Sequence, residues 1–296
     1  MAPLPLILDC DNTFGVDGCD VDDGLTLLYL LGSPEVELLG VTCSYGNSRQ
    51  AVTYENTKRL LRQWGRMDIP VFRGAAGPGE LDSPAADFLA DSARKHDGAL
   101  RLLVTGSTTN LCGALARDPA FLRRLHSLSF MGGVTEPLTV GGHPMAELNL
   151  SIDWPATLTV LRGGHDIRIA TAQNCLRSFF PEEEWLERLA AAPSPLARQL
   201  RQELEDWFRL NERDWDLHGI VNWDVMAAVQ LLHPELFELC ETVIAPDEAP
   251  ALQGMLFGGG TPIRVELPRI RDAAQYRAHV YERYFSARVF PADDTE

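Results

Sequence analysis

Lysine is nearly missing from this chain. Lys58 and Lys95 are the only two, and with the arginines they make 26 basic residues against 42 acidic ones, a formal charge of −16. A nucleic-acid backbone or an anionic membrane calls for a basic face, so this balance argues against both as the main partner. No apolar run reaches the roughly 18 residues of a spanning helix, and no basic n-region precedes a cleavable apolar segment, so the expected location is cytoplasmic. Cys10, Cys19, Cys43, Cys112, Cys175 and Cys240 include no C-x-x-C pair, which favours reduced thiols over a disulfide framework or a structural zinc. Low-complexity linkers and internal repeats are absent as well. With 45% apolar and 23% charged residues over a length of 296, the chain is expected to fold as one domain, residues 1–296, around a sizeable core.

Aspartate, by contrast, is concentrated. Asp9, Asp11, Asp17, Asp20, Asp22 and Asp23 all lie in the first 23 residues. The run Leu4 to Leu8 reads as a buried strand and Val21 to Leu31 has helical apolar spacing, so these carboxylates fall where a first strand hands over to a first helix. In an open α/β sheet that edge binds ligands. Crowding this much negative charge is unfavourable unless a cation, protons or water compensate it, so a hard cation is expected there.

Strand-like runs alternate with helical patterns along most of the first 175 residues, the rhythm of a parallel sheet. Further strands are expected at Val36 to Cys43, Arg101 to Thr105, Leu128 to Met131 and Ile167 to Ala170. Helices are expected at Asp22 to Leu31, Ala51 to Trp64, Thr109 to Ala116, Pro155 to Leu161, within Pro181 to Arg213, and at Asp224 to Leu232. The tail reads as short strands within Thr242 to Glu266, with Gly258-Gly259-Gly260 as a hairpin turn, and a closing helix from Arg271 to Phe285.

Two enzymatic readings fit the acidic knot. Ile7 to Thr13 matches the apolar-run-D-x-D-x-T opening of haloacid-dehalogenase-type phosphatases, with Asp9 as nucleophile and Asp11 as acid/base. That chemistry usually needs a late lysine, and none follows Lys95. The second reading uses more of the chain. Asp9-x-Asp11, the run from Asp22-Asp23-Gly24 to Leu31, and Gly40 to Asn47 are followed in order by Leu102 to Leu111, Met131-Gly132-Gly133, Ala146-Glu147-Leu148-Asn149 with Asp153, and Asn222-Trp223-Asp224. Over residues 4 to 285 this series resembles the inosine-uridine-preferring nucleoside hydrolase family, and several motifs in order are more specific than any one alone.

The resemblance implies a nucleoside-hydrolase-like fold: α/β, an open, mostly parallel sheet flanked by helices, with a Rossmann-like core. It also implies hydrolysis of ribonucleosides to ribose and free base, with a small-molecule nucleoside as partner and homodimers or homotetramers as the assembly. By it, Ca²⁺ is held by Asp11, Asp23, Asp224 and the backbone carbonyl of Thr105, with Asp9 in support, and Asp11 is the general base. Asp22, Asn47, Glu147 and Asn149 match ribose-binding positions, and Met131 lines the same pocket. The stretch Glu203 to His218 corresponds to a wall over the nucleobase and offers Trp207, Asn211, Trp215 and His218, the last as a candidate general acid.

Three departures qualify the match. The spacer Asn12 to Val21 is longer than the family's and carries Asp17 and Asp20, so it is expected to bulge from the sheet edge, where either acid could supplement or displace the ligands. Gly141 stands where an asparagine normally helps to bind ribose. Trp223 replaces a histidine found in pyrimidine-tolerant members and resembles the purine-specific group, where stacking helps the base to leave. The remaining alternative is a non-catalytic riboside-binding protein on the same fold.

Overall fold

A computed structural model describes residues 3–251 and 253–290. Eight strands form one sheet: β1 (Leu4–Cys10), β2 (Val36–Cys43), β3 (Val71–Arg73), β4 (Arg101–Val104), β5 (Ser127–Met131), β6 (Ile167–Ala170), β7 (Glu241–Ile244) and β8 (Ile263–Glu266). Their spatial order is β7-β8-β6-β5-β4-β1-β2-β3, and every neighbouring pair is parallel except β7 with β8. Strands buried on both faces lose the polar alternation of a half-exposed strand. In β1, Leu6 and Leu8 enter one core layer and Ile7 the other, all fully buried.

The helices divide between the two faces. One core layer takes α1 (Asp22–Leu31), α2 (Gln50–Gln63), α6 (Glu182–Ala191), α7 (Pro195–Trp215), α8 (Trp223–Leu232) and α9 (Ala273–Ser286). The other takes α3 (Pro84–Lys95), α4 (Thr109–Arg117) and α5 (Trp154–Gly163). From β1 the chain builds outward through β2 and β3, then returns to place β4, β5 and β6 on the opposite side. Such a reversal opens a crevice beyond the carboxyl ends of the two central strands. Asp9, Asp11 and Thr105 lie at that switch point.

Most expected elements are present with ends moved by a residue or two. The helical stretch expected over Pro181 to Arg213 is two helices, because Pro193-Ser194-Pro195 interrupts it and the Ser194 side chain accepts the N–H of Ala197 to start α7. Two of the elements named above, β3 and α3, lie outside the sequence expectations, as do several short strand pairs and single-turn helices. The edge strand β3 is too short for periodicity to register, and α3 announces itself only through Ser83-Pro84, a serine cap followed by proline at the first helical position. The glycine run is not a tight hairpin. Gly258 and Gly260 both donate to the carbonyl of Ala245, closing a long connection between β7 and β8.

The spacer Asn12 to Val21 also differs from expectation, since its first half packs inward. Asn12, Thr13 and Phe14 are buried, and the Phe14 ring lies 6.3 Å from that of Trp64. Asn56 donates to the carbonyls of Asn12 and Phe14 at 3.2 and 3.1 Å, and Arg59 adds a bond to the latter at 3.1 Å. The loop is therefore anchored to α2 rather than projecting into solvent.

A buried aromatic cluster fastens α6 to α9. Trp185 is fully buried, edge-on to Tyr281 at 4.8 Å and stacked on Tyr284 at 5.6 Å. Trp185→Ala is expected to cost about 3–5 kcal/mol through the cavity it leaves, read as a lower urea midpoint at unchanged slope. A loss below about 1 kcal/mol would mean that the ring is not packed as described.

Candidate functional site

The floor of the crevice is built by strand ends. The backbone carbonyl of Asp9 accepts the Thr105 N–H at 2.8 Å, tying β1 to the turn after β4. Asp9 Oδ2 accepts from Thr42 Oγ1 at 2.5 Å and from Asn110 Nδ2 at 2.8 Å, while Oδ1 is buried without a partner. Burial pushes the Asp9 carboxyl up to about 7. Fully enclosed and bonded on both sides of one oxygen, Asp9 cannot be presented to a phosphoryl group, so the nucleophile role of the phosphatase reading has no structural basis. Neither Asp9 nor Asp11, both expected at the cation, is among the three residues whose oxygens converge as one cation group, which are Asp22, Asp23 and Asp224.

Two residues on, Asp11 is held from the β2 side. Asn47 donates to it from its backbone N–H at 2.5 Å and from Nδ2 at 3.4 Å. Close approach of the loop requires a glycine here: a Cβ on Gly46 would sit 1.8 Å from Asp11 Oδ2. The Asp11 carboxyl lies against that of Asp23, and burial is the first cause of the upward shift of both.

Helix α1 delivers Asp22 and Asp23 from its first turn, and α8 delivers Asp224 from its own. Carboxylate oxygens of these three residues lie within 4.8 Å of one another. All five aspartates, at 9, 11, 22, 23 and 224, are at most 5% exposed. Burial first, then the neighbouring carboxylates, raises Asp22, Asp23 and Asp224 well above the ordinary range. Asp23 Oδ1 accepts from Thr105 Oγ1 at 2.6 Å, but its Oδ2 is buried with no partner. An all-oxygen donor set with an unpaired buried carboxylate oxygen fits a hard divalent cation, whose charge would offset this mutual repulsion.

Above this floor is a pocket lined by Asp22, Asn47, Thr105, Met131, Glu147, Asn149, Trp223 and Asp224, the residues singled out from the sequence, together with Asp20, Leu138, Met145 and Ala172. Glu147 is more occupied than expected. Its oxygens accept the N–H groups of Gly133, Leu150 and Ser151 at 3.0, 2.8 and 2.9 Å, so it also anchors its own loop. Asn149 Nδ2 donates to the Met131 carbonyl at 3.2 Å.

A second chamber adjoins the first and shares Asp20, Asn47, Met145 and Trp223 with it. Its far wall is Trp207, Asn211 and Trp215 of α7, as anticipated. His218 is a correction. Its side chain is 70% exposed, 3.8 Å from Glu212, and borders Glu182, Glu183 and Glu187 on the outer surface, because the backbone of Gly219–Val221 pairs with Phe179–Pro181 there and turns it away from the pocket.

The spacer supplies one of its two acids to the site. Asp17 is exposed, whereas Asp20 lines both chambers and its Oδ1 accepts the N–H groups of Val21 and Asp22 at 2.6 and 3.3 Å, standing in for a cap on α1. Thr42 and Asn110, which position Asp9, are functional residues that the sequence reading misses; the signal for Thr42 is a lone threonine near the end of an apolar strand, and Asn110 carries none of its own. Gly141 has a steric reason. Its φ is +54°, and a Cβ there would meet the Trp215 carbonyl oxygen at 1.5 Å.

The raised carboxyls make a prediction for the metal-free protein. An acid whose folded value lies above its unfolded one stabilises the fold below the unfolded value, and that contribution is lost as pH rises through the folded one. With Asp9 and Asp20 both near 7, chelator-treated protein should melt at falling temperature from about pH 4 to about pH 7. A flat or rising melting curve across that window would contradict the uncompensated cluster.

The family model described as inosine-uridine preferring nucleoside hydrolase matches residues 6–280. A pyrimidine-specific ribonucleoside hydrolase RihA of Shewanella sp. (strain MR-4) is 31% identical over 264 residues, 79% of this chain and 79% of the relative. Its counterpart from Enterobacter sp. (strain 638) is 30% identical over 263 residues, 79% and 80% of the two chains. Among solved structures, a plant nucleoside hydrolase, PpNRh1, superposes with a TM-score of 0.82 at 22% identity, covering 96% of this chain and 99% of the other. A purine-preferring ribonucleoside hydrolase from Gardnerella vaginalis gives 0.80 at 21% identity, covering 96% and 99%. At such identities the structures establish the fold alone, an open mostly parallel sheet with helices on both faces. With the family model spanning nearly the whole chain and the pocket floor built from the motifs that carry the resemblance, the chain belongs to the inosine-uridine preferring nucleoside hydrolase family, enzymes that cleave N-glycosidic bonds.

Proposed function

We propose that the chain hydrolyses ribonucleosides to ribose and free base with Ca²⁺ as its cation, purine nucleosides ahead of pyrimidine ones. The observation that carries this reading is the meeting of Asp22, Asp23 and Asp224 from two helix N-termini, with Asp11 against them, on the floor of a pocket walled by Asn47, Asn149 and Trp223.

Asp11, Asp23, Asp224 and the Thr105 carbonyl would hold the ion, and the crowding of Asp22 with Asp23 and Asp224 makes Asp22 a neighbour of it as well. Bound there, Ca²⁺ supplies the positive charge that lets an attacking water part with a proton at neutral pH. Asp11 accepts that proton, its carboxylate aimed by the two donors of Asn47. Breaking the bond from C1′ to the base leaves the sugar oxocarbenium-like, and Asp22, Glu147 and Asn149 surround it with oxygen acceptors and an amide that grip its hydroxyls. Glu147 already accepts three N–H groups, which leaves about one of its roughly four lone-pair sites for a hydroxyl. Trp223, partly exposed at the junction of the chambers, offers a face for stacking on a base, and this supports the purine preference.

Reducing-sugar release from a nucleoside panel tests the reading. Asp11→Ala is expected to lower kcat by about 10²- to 10⁴-fold, the usual worth of a positioned base. Chelation should abolish turnover and Ca²⁺ restore it; equal activity in chelator excludes the ion from the reaction. A kcat/KM for inosine below that for uridine would refute the purine preference while leaving the hydrolase reading intact.

A further inference from the structure

The chamber beyond Trp223 has a composition that an ordinary neutral base does not require. Three indoles, Trp207, Trp215 and Trp223, share it with the carboxylate of Asp20, and no lysine, arginine or histidine lines either chamber among the described residues. Asp20 is not a mobile surface acid. Its Oδ1 is fixed by the N–H groups of Val21 and Asp22, and its own carbonyl accepts from Thr13 Oγ1 at 2.9 Å. Behind Trp207, Asp17, Glu203 and Asp206 border an adjoining surface hollow and add negative field. The nearest arginine on α2, Arg59, is spent on Asn56 and the Phe14 carbonyl. Indole faces and a fixed carboxylate are the elements that recognise a delocalised cation.

Apart from Asp20 itself, no side chain suited to protonating a departing base lines the chamber among the described residues. His218 is on the outer surface, and Asn211 donates to the Gly219 carbonyl at 3.2 Å. A neutral base needs a proton as it leaves; a quaternised one does not.

We infer that the base chamber is built for a cationic aromatic ring, and that N-ribosides carrying a positively charged base are a substrate class of this enzyme, with Asp20 as the residue that selects them. The inference rests on the hydrolase reading above for the bond-breaking step. In that step the bond from C1′ to the ring nitrogen breaks with both electrons passing to the nitrogen, which cancels the positive charge of the base. Water oxygen bonds to C1′, one water proton passes to Asp11, and ribose and a neutral base are released. No acid is consumed.

Calorimetric titration of the wild-type protein with 1-methylnicotinamide and with neutral nicotinamide tests the chamber without turnover. The cation is expected to bind at least about tenfold tighter, a difference of roughly 1.4 kcal/mol, and Asp20→Asn should shrink that ratio to within about threefold. Trp215→Leu, with Asp20 retained, should shrink it too, so the result does not depend on one variant folding. Equal affinity for the two probes in wild type, or a ratio untouched by both variants, overturns the inference. Ribose release from 7-methylguanosine and guanosine in parallel separates the two readings. Selective binding of the cation with ribose from neither nucleoside overturns the hydrolase reading and, with it, cationic ribosides as substrates, leaving only the cation-binding chamber. Ribose from guanosine without selective binding overturns the cation chamber and leaves the hydrolase.

Discussion

Mutual repulsion among buried carboxylates is the constraint around which the rest of this structure is arranged. Asp9, Asp11, Asp22, Asp23 and Asp224 are withdrawn from water within one small volume, and desolvating each charge costs several kcal/mol even after relaxation. What brings them together is the large apolar core, not any attraction of their own. The fold imposes the cluster by docking α1 and α8 against the sheet so that both N-termini face the ends of β1 and β4. Those N-termini give partial relief, because helix dipoles favour anions there, and Thr42, Asn110, Thr105 and Asn47 add hydrogen bonds. The remainder is left to a ligand. Affinity for a cation is thus stored in the apolar packing far from the site.

This also explains which parts were legible in advance. Strands buried on both faces are nearly continuous apolar runs, so β1, β2, β5 and β6 could be read directly, and the motifs at their carboxyl ends located the floor of the site. Elements defined by pairing rather than by pattern were not legible: β3 has three residues, and the pair Phe179–Pro181 with Gly219–Val221 depends on a partner distant in sequence. That pair is what turns His218 outward, and no local pattern could have revealed it. The start of α3, by contrast, is a purely local signal, the cap Ser83-Pro84.

The spacer Asn12 to Val21 joins the candidate site without disrupting the fold around it. Its first half extends the core under α2, and its last residue before α1 but one, Asp20, takes over capping of that helix and a place in the pocket wall. A loop that merely bulged would have left the carboxylate geometry to the helix alone. Here the same backbone that lengthens the spacer also fixes where Asp22 and Asp23 begin.

Gly141 ties two parts of the pocket together. A side chain there would put its Cβ 1.5 Å from the carbonyl oxygen of Trp215 at the end of α7. Making room for one would demand a retreat of Trp215, which is itself a wall of the second chamber. The absence of a side chain at one loop position thus sets how closely that loop and the aromatic wall can approach, and a larger residue at 141 would be felt in the shape of the chamber.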